Sequence, residues 1–123
     1  QVSPEKIGHF YGISNPLRAP HTLPFPPAGE EPAAMAERLG VGEKVWANVL
    51  KGYYIPEKVL LFKLFLLLGM RREDCDTLMK ICESYFNYED ARDVVVRYLI
   101  DYRVYNREMI DAAFDEFRLR RIL

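Results

Sequence analysis

Two cysteines and two histidines are the residues of this 123-residue chain best suited to metal or nucleophilic chemistry, and their spacing argues against both. Cys75 and Cys82 fall on one predicted helix, two turns and about 10.5 Å apart, beyond the Cα reach of a disulfide. A zinc site would need histidine or cysteine partners at a short spacing, and His9 and His21 lie far upstream in a proline-rich stretch with no such spacing. No serine, cysteine or carboxylate pair is placed around either histidine to make a nucleophile and base. The cysteines are therefore expected in the core, with no metal, no cofactor and no enzymatic activity.

The elements that would carry any other site follow from proline and from apolar periodicity. Six of the eight prolines lie between Pro16 and Pro32, where fixed φ angles favour extended, polyproline-type backbone, so residues 1–32 are read as an arm or linker. From Ala33 onward only Pro56 interrupts the chain, and apolar residues recur at helical spacing, which predicts an all-α body over residues 33–123. Helices are expected at 33–39 and 43–51, ended by Gly40 and Gly52, and at 57–68, where Val59 to Leu68 is apolar on every side but for Lys63 and so must be central. A fourth is expected at 73–84, with Leu78, Ile81, Cys82 and Tyr85 inward. A fifth, capped by Asn87, would bury Ala91, Val94, Val95, Tyr98, Leu99 and Tyr102, leaving Arg92, Asp93 and Arg97 outside. A last one after Asn106 would bury Ile110, Ala113, Phe114 and Phe117. Six helices, the first ones short, suit a compact orthogonal bundle better than an up-down bundle.

Charge and hydropathy narrow the partners. Seventeen basic and eighteen acidic residues give a net charge of −1, with an isoelectric point near 6.2, which removes the bias toward nucleic acid that a basic domain carries. No apolar run approaches the roughly 18 residues of a membrane span, and no amino-terminal signal pattern is present, so a cytoplasmic location is expected.

The order Ala36-Glu-Arg-Leu-Gly-Val41, Trp46-Ala-Asn-Val49, Gly52, Pro56, and a leucine-rich helix closing on Leu68-Gly69, with Leu78 beyond, resembles the helix-turn-helix core of the Xre, or lambda-repressor-like, family. The likeness spans about 47 residues. It implies a core at 33–84, and a two-helix extension at 85–123 like those that some bacterial helix-turn-helix modules carry. Position by position, Gly42 to Leu50 match the recognition helix, with Lys44, Asn48 and Lys51 as DNA-facing candidates. Only these three of its outward residues suit phosphate or base edges, while Glu43 would face phosphate. From Ala34 to Lys80 eight basic residues exceed six acidic ones by just two, so weak or no duplex binding is expected. In the turn after Gly52, where the family places polar residues, stand Tyr53, Tyr54 and Ile55. With Phe25 of the arm they are protein-contact candidates. The expected role is regulatory docking onto a protein partner, another domain of a longer chain or a second copy, and the alternative is an Xre-type DNA-binding regulator.

Overall fold

A computed structural model describes residues 32–123. The arm expected over residues 1–32 lies outside the described residues but for Pro32, which opens the first helix, a position where a missing N–H costs nothing. Six helices follow, with no strand among the described residues: α1 Pro32–Leu39, α2 Glu43–Lys51, α3 Lys58–Leu68, α4 Arg72–Ile81, α5 Ala91–Asp101 and α6 Arg107–Glu116. The chain divides into two compact units between Glu57 and Lys58.

In the first unit α1 packs against α2. Met35, Ala36 and Leu39 of α1 and Trp46 and Val49 of α2 are buried, the spacing of one helical face each. Both predicted glycine stops are left-handed, Gly40 at φ 72° and Gly52 at φ 84°. Each lets the next amide turn back onto the helix, Val41 N–H donating to the Ala36 carbonyl and Tyr53 N–H to that of Asn48.

The second unit is built on α3, which packs against both α4 and α5, while α5 packs against α6. Leu60, Leu61, Phe62, Leu64, Phe65 and Leu66 are buried, as an all-round apolar helix requires. Two hairpins of matching lengths result: α3 and α5 have 11 residues each, and α4 and α6 have 10. All four helices end in the same turn, with left-handed Gly69, Glu83, Arg103 and Arg118 followed by an amide that donates to the carbonyl five residues back. At Gly69 space is tight as well, since a Cβ there would lie 3.3 Å from the Tyr105 ring. Tyr105 completes this turn by donating its hydroxyl to the Met70 carbonyl, and burial pushes its pKa up to about 12.

The segment between the hairpins is clasped by charge. Asp93 is fully buried and accepts hydrogen bonds from Lys58 Nζ at 2.7 Å, the Asn87 amide at 2.9 Å and Arg92 Nη2 at 3.4 Å. Lys58 also donates to the Tyr85 carbonyl at 3.1 Å. Phe86 stacks on Phe62 at 5.3 Å, and the Arg97 guanidinium lies 5.2 Å from its ring centroid. Arg97 itself is held by Asp76 at 2.6 Å and Asp101 at 3.2 Å.

Several expected details are corrected. The inward face of α5 is Asp93, Val95, Val96, Leu99 and Ile100, so Asp93 is inside while Ala91, Val94, Tyr98 and Tyr102 are exposed. The cause is the clasp, which turns Asp93 toward Lys58. Asp90, not Asn87, caps α5 by accepting from Arg92 N–H, and Asn87 accepts from Glu89 N–H in a tight turn before it. The fourth helix stops at Ile81 because Glu83 turns left-handed, which leaves Tyr85 beyond the helix and exposed. Phe117 caps the end of α6 rather than filling the core. Asn106 does cap α6, accepting from Met109 N–H.

Two substitutions test this core by different means. Phe65→Ala should lower stability by about 3–5 kcal/mol through loss of buried area and the cavity it leaves. Asp93→Ala should cost a similar amount, about 3–5 kcal/mol, by stranding Lys58 and the Asn87 amide. Urea midpoints near wild type for both would contradict this account of the core.

Candidate functional site

The residues singled out for function in the first unit belong to α2 and the turn after it. Burial of Trp46 and Val49 sets the rotation of α2, and with that rotation Lys44, Asn48 and Lys51 are exposed. Their spacing of four and three residues places them along one side of the helix. Glu43 and Gly42 at the start of α2 are exposed as well. Gly42 occupies the N-cap position with no side chain to close the helix end, so Glu43 in the first turn supplies the favourable negative charge. That leaves a carboxylate on the turn where a phosphate would have to approach.

Beyond Gly52 the backbone leaves the helix through its left-handed turn, and Pro56 is buried. Between them Tyr53 is 57% and Tyr54 41% exposed, while Ile55 is half-buried. The turn therefore presents two aromatic rings to solvent rather than folding both beneath a helix. Phe25, the fourth protein-contact candidate, lies outside the described residues, as do His9 and His21.

The two cysteines are buried and form no disulfide. The Cys75 thiol lies 3.9 Å from the Met70 carbonyl, and burial, with Asp76 and Asp74 nearby, raises its pKa. A thiol held protonated is a poor nucleophile and a poor metal ligand. Among the described residues no group of three or more histidines, cysteines and carboxylates is arranged to hold a metal, and no helix is long and apolar enough to cross a membrane. Asp93 is the buried carboxylate a search for a general base would stop at, but Lys58, Arg92 and the Asn87 amide occupy its oxygens. Its role is to hold the hairpins.

Known proteins add nothing to this geometry. The chain matches no protein-family model, no curated protein and no solved structure. Its surface chemistry has to be read from its own residues.

Sequence reasoning missed a second aromatic surface, on α5 and α6. Val94, Val95, Tyr98, Ala113 and Phe117 line a groove of about 270 Å³ in which no charged side chain takes part. Tyr98 is 57% and Phe117 60% exposed, and the Tyr98 and Tyr102 rings lie 4.5 Å apart. No local signal marks it, since Val94, Val95, Val96, Tyr98, Leu99, Ile100 and Tyr102 leave apolar periodicity no single side to choose.

The state of the cysteines can be checked directly. In native conditions Cys75 and Cys82 should react with a thiol-specific chromogenic reagent only at the rate of local unfolding, and both should label at once in denaturant. Rapid labelling of either in the folded protein would mean that it is accessible.

Proposed function

We propose that the chain is a non-enzymatic, regulatory docking module of helix-turn-helix type that holds a protein partner through the turn at Tyr53, Tyr54 and Ile55. The observation that carries this reading is the exposure of both tyrosines where a turn needs only Gly52 and Pro56. Tyrosine supplies a large contact area with little rotamer entropy to lose, and its hydroxyl tolerates water until the partner arrives. An overall negative charge and the exposed Glu43 add to the case, because both disfavour a polyanion. On this reading the arm, with Phe25, extends the same contact.

The second reading is an operator-binding regulator of the Xre type. It is favoured by one observation, the common exposure of Lys44, Asn48 and Lys51 on α2, and by the resemblance of residues 36–82 to that family. Glu43 at the head of the helix and the small surplus of positive charge weigh against it.

Replacing Tyr53 and Tyr54 together by alanine separates the docking reading from a packing role. The melting temperature should stay near wild type, within about 0.5 kcal/mol of stability, while partner recovery from the native cell extract falls by about thirtyfold or more. Lost stability with recovery unchanged would make the tyrosines part of the core and defeat the docking reading. Selection from random duplexes should return only non-specific binding of about 10⁻⁴–10⁻⁶ M, and a palindromic site bound at nanomolar strength would establish the DNA reading instead.

A further inference from the structure

The two hairpins of the second unit end their helices in the same turn, which gives a register between them. Counting back from left-handed Gly69 and Arg103 sets Phe65 and Leu66 of α3 on Leu99 and Ile100 of α5, all four buried, and Leu60 and Leu64 on Val94 and Tyr98. The same count sets two cations of α3 on two of α5, Lys58 on Arg92 and Lys63 on Arg97.

These four cations divide into two kinds. Lys58 and Arg97 each reach across to the other hairpin, where Lys58 Nζ meets the Asp93 carboxylate at 2.7 Å and Arg97 Nη1 meets that of Asp76 at 2.6 Å. Their counterparts, Arg92 and Lys63, both line one cavity of about 340 Å³. Arg120 and Arg121, in the segment after α6, complete its basic side, and Val59, Leu119 and Ile122 supply apolar walls. No acidic side chain is among the lining residues.

Part of that charge is met from around the cavity. Asp93 and Asp90 approach Arg92 at 3.4 and 4.0 Å, and Asp115 and Asp111 approach Arg121 at 2.6 and 3.7 Å. The Arg92 Nε is nevertheless buried without a hydrogen bond, so its guanidinium has donor capacity that the protein leaves unused. Arg120 is exposed. With two of the four cations already shared, the site suits a single negative charge and not a polyphosphate.

We propose that this cavity binds a small organic monocarboxylate, its charged end held by Arg92 and Arg120 and its apolar stem against Val59, Leu119 and Ile122. A charge-assisted pair between guanidinium and carboxylate is among the stronger hydrogen-bonded contacts. The hairpins supply the precedent, since at Lys58 and Arg97 the cation of one is closed by a carboxylate of the other. The volume lies at the small end of ligand cavities, which fits a stem of a few carbons.

Sodium octanoate titrated into the full chain, followed by backbone amide chemical shifts, tests the proposal. Octanoate should bind saturably with a Kd of about 1 mM or tighter, moving the amides of Val59, Lys63, Arg92 and Leu119 to Ile122. Octanol has the stem without the charge and acetate the charge without the stem, so each should bind about tenfold more weakly or worse. Inorganic phosphate should not displace octanoate. Arg120→Glu, at an exposed position, should weaken octanoate about tenfold or more with the melting temperature unchanged, and Lys63→Gln should weaken it as well. The proposal would be overturned by a titration with no saturation at about 10 mM octanoate, by octanol binding as tightly, or by displacement with phosphate. An Arg120→Glu variant that binds octanoate as the parent does would overturn it too.

Discussion

A buried carboxylate is costly, and the second unit is organised around meeting that cost at Asp93. An ionised side chain removed from water has to be matched by donors of good geometry, or the fold loses several kilocalories per mole. Lys58, the Asn87 amide and Arg92 provide them, and they come from the start of α3, the segment after α4 and the neighbouring position on α5. Satisfying one charge therefore fixes where α3 begins against α5 and how the chain travels between the hairpins. Asp93 marks one edge of the buried side of α5 and Val95 the other, and Val94 and Tyr98 lie on the remaining side, open to solvent.

The hairpins meet the same architectural demand with different side chains. Where the first has Leu60 and Leu64, both buried, the second has Val94 and Tyr98, both open to water. Tyrosine suits an open position better than leucine does, because its hydroxyl can hydrogen-bond to water there. The turns show a similar economy. Gly69 sits against Tyr105, whose ring a side chain there would crowd, while Glu83, Arg103 and Arg118 hold the same left-handed conformation with long polar side chains. Each of those three accepts a penalty of about 1–2 kcal/mol that glycine would not incur, offset by the two backbone hydrogen bonds that the turn closes.

Helix positions were legible wherever a local signal marked them. Glu43 to Lys51 was read to the residue because Gly52 stops it, and α3 announced itself by a run too apolar to face water anywhere. Asn106 was identified as a cap for the same reason, an Asx residue directly ahead of a periodic segment. The rotation of α5 was not legible, since Val94, Val95, Val96, Tyr98, Leu99, Ile100 and Tyr102 make nearly the whole circumference apolar and periodicity cannot choose a side. The deciding contact comes from Lys58, 35 residues earlier, and no local pattern records it. Asn87 and Asp90 are both Asx residues ahead of α5, and the structure uses Asp90 as the cap because the Asn87 side chain already accepts from Glu89 N–H. Glu83 ended α4 early without a glycine to show it. The candidate residues of α2 fared better, because Trp46 and Val49 define an inward side that leaves Lys44, Asn48 and Lys51 outward.

What the surface can bind depends on which of its groups are already occupied. Polyanion binding draws its strength from cations that exchange small counterions for phosphates. In the second unit many of those cations are engaged by neighbours: Arg71 with Asp74, Arg97 with Asp76, Arg107 with Asp111, and Arg121 with Asp115 at 2.6 Å. The Arg121 pairing holds the Asp115 carboxyl below its usual range, the mark of a carboxylate stabilised by its cation. Exposed pairs like these add little to stability, but a phosphate would have to compete with each carboxylate for its arginine. The rings at Tyr53, Tyr54, Tyr98, Tyr102 and Phe117 are open to solvent with no such competitor across from them. Apolar area exposed in water is a standing free-energy cost of about 25 cal/mol per Å² until something covers it. Paired arginines and uncovered aromatic rings are the two features on which the proposed docking reading rests.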